Sequence, residues 1–100
     1  MRTFIRAVAV VTLLAGAGAA AHAACISKAG RGTGGNDDSA KFQAWEAVLQ
    51  GTDWGAWANW MATSQKVGEA PGYKVSNVKA RCTAGGTLGR ECTVQGKLCN

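Results

Sequence analysis

The chain has 100 residues, with 11 lysines and arginines against six aspartates and glutamates, which gives a formal net charge of +5 at pH 7. A chain of this length fits one small domain. Its basic residues are spread out with no run of them, whereas nucleic-acid binding favours clustered Lys and Arg, so we expect no nucleic-acid partner.

The first 23 residues have the pattern of a secretory signal peptide. Arg2 and Arg6 form a charged start, residues 7–20 are mostly apolar, and residues 21–23 read Ala-His-Ala, which matches an A-x-A cleavage site. The apolar stretch is shorter than the ~20 residues that cross a membrane. The sequence therefore predicts an exported protein, periplasmic or extracellular, without a membrane span.

We expect cleavage after Ala23, which leaves residues 24–100 as a single small domain stabilised by disulfides. Lipidation of Cys25 is the alternative. His22 stands where lipoprotein peptidases usually require Leu, and lipidation would leave three cysteines, an odd number, in an oxidising compartment. Cleavage without lipidation is the better interpretation.

Loss of residues 1–23 changes the inventory of reactive groups. His22 is the only histidine, so residues 24–100 contain none. They contain nine lysines and arginines and six aspartates and glutamates, which gives a net charge of +3. Without histidine, Ser-His and Cys-His nucleophiles and His-bearing zinc sites are excluded, and no C-x-x-C motif occurs. A pair of carboxylates could formally hydrolyse glycosides, but a domain this small lacks room for a deep cleft. We expect no enzyme, cofactor or metal, and only weak attraction to anionic surfaces.

The mature chain begins with a β-prone segment, residues 25–28, and continues with a glycine-rich segment, residues 30–36, which we predict to be a loop. Gly30 to Gly35 matches G-x-G-x-x-G, with Asp53 about 20 residues on. The dinucleotide interpretation fails because Asp53 falls inside a helical region, no βαβ unit fits, and acids follow the loop where a pyrophosphate would lie.

A helical region is predicted from about Asp38 to Gln65, with Asn36 or Asp37 as its N-cap. Its apolar residues form one stripe of period 3.6, made of Phe42, Trp45, Val48, Leu49, Ala56 and Trp60.

Two glycines, Gly51 and Gly55, interrupt this region, and each costs up to about 1 kcal/mol relative to Ala in a helix interior. The region is either one kinked helix or two helices, the second capped by Thr52 or Asp53. The stripe keeps its phase across the glycines, which favours one bent helix.

Two β-prone runs follow, residues 73–82 and 90–99. Alternation along them predicts a polar face made of Lys79, Arg81, Thr93, Gln95 and Lys97, and a change of parity predicts a bulge near Ser76-Asn77.

One register of this hairpin satisfies both the apolar pattern and a disulfide. It places Cys82 opposite Cys92, Ala80 opposite Val94 and Val78 opposite Gly96. The Cys25–Cys99 bond then follows by elimination. The predicted fold is a small α+β domain of βαββ order, with one kinked helix packed on a three-stranded, mainly antiparallel sheet and with disulfides as staples.

Four tryptophans are a high number for so short a domain. Trp45 and Trp60 lie on the apolar stripe and are predicted to be core. Trp54 lies roughly opposite them and Trp57 lies at the edge of the stripe. Packing is the favoured role for all four, and Trp54 and Trp57 are the candidates for any contact surface.

The small-residue loop, the Ala-rich helical region with Trp45 and Trp60, and the hairpin with Cys82, Cys92 and Cys99 resemble a group of short, exported, uncharacterised proteins of alphaproteobacteria. Some of these proteins have Pro before the last cysteine, where this chain has Leu98. The resemblance implies a bacterial envelope or secreted location and no particular activity.

The leading functional hypothesis is a binding or structural module of the periplasm or cell exterior that recognises a protein, a glycan or another envelope component through its polar sheet face or an exposed tryptophan. The alternative is a secreted effector: a cationic antimicrobial, a toxin or an enzyme inhibitor. Membrane-active peptides concentrate cationic and apolar faces on a helix. Here the helical region carries Lys41 against Asp38, Glu46 and Asp53, which disfavours that alternative.

Overall fold

The computed structural model describes residues 24–100, so the predicted signal peptide and its cleavage site lie outside the described residues. Five elements follow one another: β1 (Cys25–Gly34), α1 (Asp37–Gln50), α2 (Trp54–Ala62), β2 (Lys74–Ala84) and β3 (Arg90–Cys99). The strands form one antiparallel sheet in the order β1-β3-β2, and α1 lies over β1 and β3. The predicted small α+β domain stapled by disulfides is confirmed.

Strand β1 is longer than predicted, because the segment that we expected to be a loop continues the strand to Gly34. Its alternate glycines face α1 at very short range. A Cβ atom on Gly30 would lie 2.3 Å from the carbonyl oxygen of Ala44, and one on Gly32 would lie 2.4 Å from the Ala44 nitrogen. The glycines therefore let the helix backbone pack directly on the strand, and this close packing overrides their low strand propensity.

The helical region consists of two helices rather than one bent helix. Asn36 caps α1, its Oδ1 accepting from the N–H of Ser39 at 2.8 Å. Asp53 caps α2 and accepts from the N–H groups of Gly55 at 2.8 Å and Ala56 at 3.2 Å. The carboxylate of Asp53 thus satisfies the free N–H groups of a new helix start, which a continuous helix would not offer.

The register of the hairpin is confirmed, since Cys82 pairs with Cys92 and Ala80 with Val94. The predicted bulge lies between Ser76 and Lys79, where Asn77 has a φ of 55°. The predicted pairing of Val78 with Gly96 is wrong, because it falls inside the bulge and leaves Val78 41% exposed. The Trp45 ring lies over Gly96 instead, and a Cβ atom added to Gly96 would be 3.2 Å from the nearest ring carbon of Trp45.

Both predicted disulfides are present, and together they use all four cysteines of residues 24–100. We call Cys25–Cys99 the terminal disulfide and Cys82–Cys92 the hairpin disulfide. Each joins residues that face each other across paired strands. Cys92 and Cys99 have opposite parity along β3, so the two bonds lie on opposite faces of the sheet.

The core lies between the helices and the sheet. Its largest fully buried side chains are Trp45, Val48, Leu49, Trp60, Cys92, Val94 and Leu98. Both buried indole N–H groups have acceptors, since Trp45 donates to the Glu69 carbonyl and Trp60 to the Lys66 carbonyl, each at 2.8 Å. These bonds attach the segment between α2 and β2 to the core. Within residues 24–100, no helix has the length and apolar character required to cross a membrane.

Candidate binding surface

Within residues 24–100, the helices cover one face of the sheet and no other element covers the opposite face. We call the uncovered side the open face. Strand alternation and register assign to it, besides the terminal disulfide, Ser27, Ala29, Arg31, Thr33, Lys74, Ser76, Lys79, Arg81, Thr83, Glu91, Thr93, Gln95 and Lys97. The five residues predicted for a polar face are all in this set and all exposed. That prediction is confirmed.

Two cations of the open face lie outside the polar face that the sequence predicts. Arg31 falls in the predicted loop, but in the structure it pairs with Thr93 in the sheet. Lys74 precedes the bulge, which changes the parity of β2, so Lys74 pairs with Cys99 and points to the same side as Lys97. The change of parity in the sequence is the signal that places Lys74 on this face.

Positive charge is concentrated on the open face. Of the nine cations and six acids in residues 24–100, it holds five cations and one acid, Glu91. Glu91 is paired with Arg31, Nε to Oε2, at 3.6 Å. The other four cations, Lys74, Lys79, Arg81 and Lys97, have no ion pair with any described residue. The surface therefore attracts anions more strongly than the overall charge suggests.

Two adjoining hollows, both open to solvent, lie along this face, with volumes of about 510 and 540 Å³. They share Lys79 and Gln95. The first also reaches Lys97, and the second reaches Arg81 and Thr93. Uncharged polar groups thus alternate with cations along a continuous trough, which can hold an elongated ligand but does not enclose a small one.

The two carboxylates with perturbed pKa values have structural partners. A hydrogen bond from the Arg90 guanidinium, 2.7 Å from Asp37, lowers the pKa of Asp37. The pKa of Asp53 is lowered chiefly by the N–H of Ala56, and also by the Tyr73 hydroxyl, which donates at 3.0 Å and whose own pKa is raised by that bond. Asp37 lies in the first turn of α1, and Asp53 is the N-cap of α2. Both acids are therefore on the helical side of the sheet, away from the open face.

The two tryptophans proposed as a contact surface lie together but apart from the open face. Trp54 is 62% exposed, and its ring meets that of Trp57 edge-on at 5.4 Å between centroids. Trp57 is half-buried against the core, and its indole N–H donates to Glu46 at 3.0 Å. Both belong to α2, which packs on α1 on the other side of the sheet.

One cluster in the described part of the chain has the residue types of a metal site, namely Asp37, Cys82 and Cys92. Its two sulfurs are bonded to each other in the hairpin disulfide. Metal ions are bound by thiolates, so the oxidised cluster does not offer the ligands of a metal site.

No protein-family model, curated protein or solved structure matches this chain.

Proposed function

We propose that this protein is a small exported binding module of the bacterial envelope, without catalytic activity, and that the open face is its binding surface. The charge distribution carries the proposal, because five of the nine cations in residues 24–100 lie on this face and four of them have no ion pair with another described residue. An uncovered, polar, charged sheet suits contact with a ligand better than it suits stability, since exposed charges contribute little to folding.

Export is supported by the pattern of residues 1–23 and by the disulfides, because thiols in the cytosol are kept reduced. The resemblance to exported proteins of alphaproteobacteria points to the same compartment. A membrane-lytic effector is less well supported. It requires cationic and apolar groups on the same surface, whereas here the cations lie on the sheet and the exposed Trp54 lies on the helical side.

Site-specific photocrosslinking in the native host tests the proposal. A photoreactive residue replaces Thr93 on the open face or, as a control, Asn59 on the outer face of α2, since both positions are exposed. We expect a specific adduct from position 93 in the non-cytoplasmic fraction and none from position 59. An adduct from position 59 alone, or retention of the protein in the cytosol, would contradict the proposal.

A further inference from the structure

The chemistry of the open face indicates what kind of ligand it binds. Resting on the proposed function, we infer that the ligand is an anionic polysaccharide, a linear glycan that carries carboxylate or phosphate groups, bound in the trough along β3. Three features lead to this class: the layout of the cations, the polar row between them, and the lack, among the described residues of this face, of aromatic and large aliphatic side chains.

The cations flank a row of uncharged polar groups. Along β3, Thr93 and Gln95 lead to Lys97, so this row spans roughly 13 Å at about 3.3 Å per residue. Arg81 pairs with Thr93 and Lys79 with Gln95, on the β2 side of the row. Cationic groups thus stand beside amide and hydroxyl groups at the spacing of the strands, roughly 4.8 Å.

This combination matches a ligand that carries both anionic groups and hydroxyls. Ammonium and guanidinium groups bind carboxylates or phosphates, while the Gln95 amide and the Thr93 hydroxyl can both donate to and accept from sugar hydroxyls. A single exposed ion pair contributes little, so useful affinity requires several at once. A polymer with repeated charges supplies them along the shared trough, which a monomeric anion cannot do.

The described part of this face lacks the side chains by which proteins commonly bind single-stranded nucleic acids or membranes. Among the described residues, the alternating side chains of the open face include no aromatic ring and no Leu, Ile or Val. Single-stranded nucleic acids are bound largely by base stacking on aromatic side chains, and peripheral membrane proteins insert apolar side chains below the headgroups. The exposed tryptophan that could do either is on the helical side.

Isothermal titration calorimetry of the disulfide-intact protein tests the inference, with polygalacturonate as the anionic glycan and dextran as the neutral one. The face variant is Lys79→Gln with Lys97→Gln. The matched control, Lys41→Gln with Lys66→Gln, removes the same charge from residues outside the open face. Circular dichroism and thermal melts establish that both variants fold.

We expect polygalacturonate to bind and dextran not to bind. The face variant should bind polygalacturonate about 2- to 30-fold more weakly, which is the loss expected when two exposed ion pairs are removed. The control variant should bind like the original protein. Equal weakening in the two variants would overturn the inference. So would tighter binding, at equal charge concentration, of phosphatidylglycerol vesicles or single-stranded DNA. An absence of polygalacturonate binding despite a crosslink from position 93 would refute the glycan and leave the open face as the binding surface.

Discussion

Replacing Gly32 with alanine should destabilise this protein, because the new methyl group would enter space that the backbone of α1 already fills. The Cβ atom would lie 2.4 Å from the Ala44 nitrogen and 2.5 Å from the Ala40 carbonyl oxygen. Both contacts are with backbone atoms in the middle of a helix, which no change of rotamer can move. The helix itself must shift away from β1.

The size of the effect follows from that shift. Ordinary van der Waals contact begins at 3.4 Å, so α1 must move by about 1 Å (3.4 minus 2.4). Overpacking of a close-packed core costs about 1–3 kcal/mol. A displaced helix backbone places this case in the upper part of the range, about 2–3 kcal/mol. For a domain of 60–100 residues, this lowers Tm by roughly 8–24 °C.

Thermal and urea melts of the disulfide-intact variants, followed by tryptophan fluorescence and circular dichroism, measure the effect. Gly35→Ala is the matched control, because a Cβ atom there meets nothing within 4 Å. It should change stability by less than about 0.5 kcal/mol. Equal Tm values for the two variants would refute the direct packing of α1 on the glycines of β1.

Three further predictions concern the disulfides, the tryptophans and pH. Replacing both cysteines of the terminal disulfide by alanine should cost roughly 4.5 kcal/mol, because the bond closes a loop with a sequence separation of 74. The hairpin disulfide closes a loop with a sequence separation of 10, worth roughly 3 kcal/mol, and its alanine variant also loses the packing of the fully buried Cys92. Urea melts that show a loss below about 1 kcal/mol for the terminal-disulfide variant would contradict this. Trp60→Ala should lower the free energy of unfolding by about 3–5 kcal/mol, because the side chain is fully buried. Trp54→Ala should lower it by less than about 0.5 kcal/mol, because that ring is exposed. Equal losses in urea melts would show that both rings belong to the core. Because the pKa of Asp53 is lowered on folding, its ionised form stabilises the protein fully above the unfolded value of 3.8, and this contribution is lost as the pH falls through the lower folded value. Asp53→Asn should therefore flatten the fall of Tm below pH 3.8, and an unchanged acid profile would exclude this role.

The hairpin and its disulfides could be predicted because two independent signals agree on one register. Alternation fixes which residues of β3 face the core, and the opposed Cys82 and Cys92 permit one alignment with β2. The change of parity before Lys79 gives the bulge. Each signal depends on neighbours along the strand, which the sequence displays directly.

The extent of β1 could not be predicted, because the reason for its glycines lies in another element. Gly30 and Gly32 have low strand propensity, and only the position of Ala44 in α1 explains them. The choice between one helix and two depends similarly on the Asp53 side chain, which could point to solvent or accept the N–H groups of a new helix start.

The charged surface was predicted only in part. The cations are spread along the sequence and form no run, which is why they suggested no strong site. In the sheet, alternate residues of one strand share a face, and pairing brings Arg31 beside β3 and Lys74 to the same side as Lys97. A surface built from three strands is visible only when register and parity are both known.

Chemical-shift mapping of the ¹⁵N-labelled protein during a polygalacturonate titration tests the role of the open face most directly. We predict that the largest changes occur at the backbone amides of Lys79, Arg81, Gln95 and Lys97, while the indole N–H of Trp54 does not shift. Changes centred on Trp54 and the helices, with the sheet amides unmoved, would contradict the assignment of the open face as the binding surface.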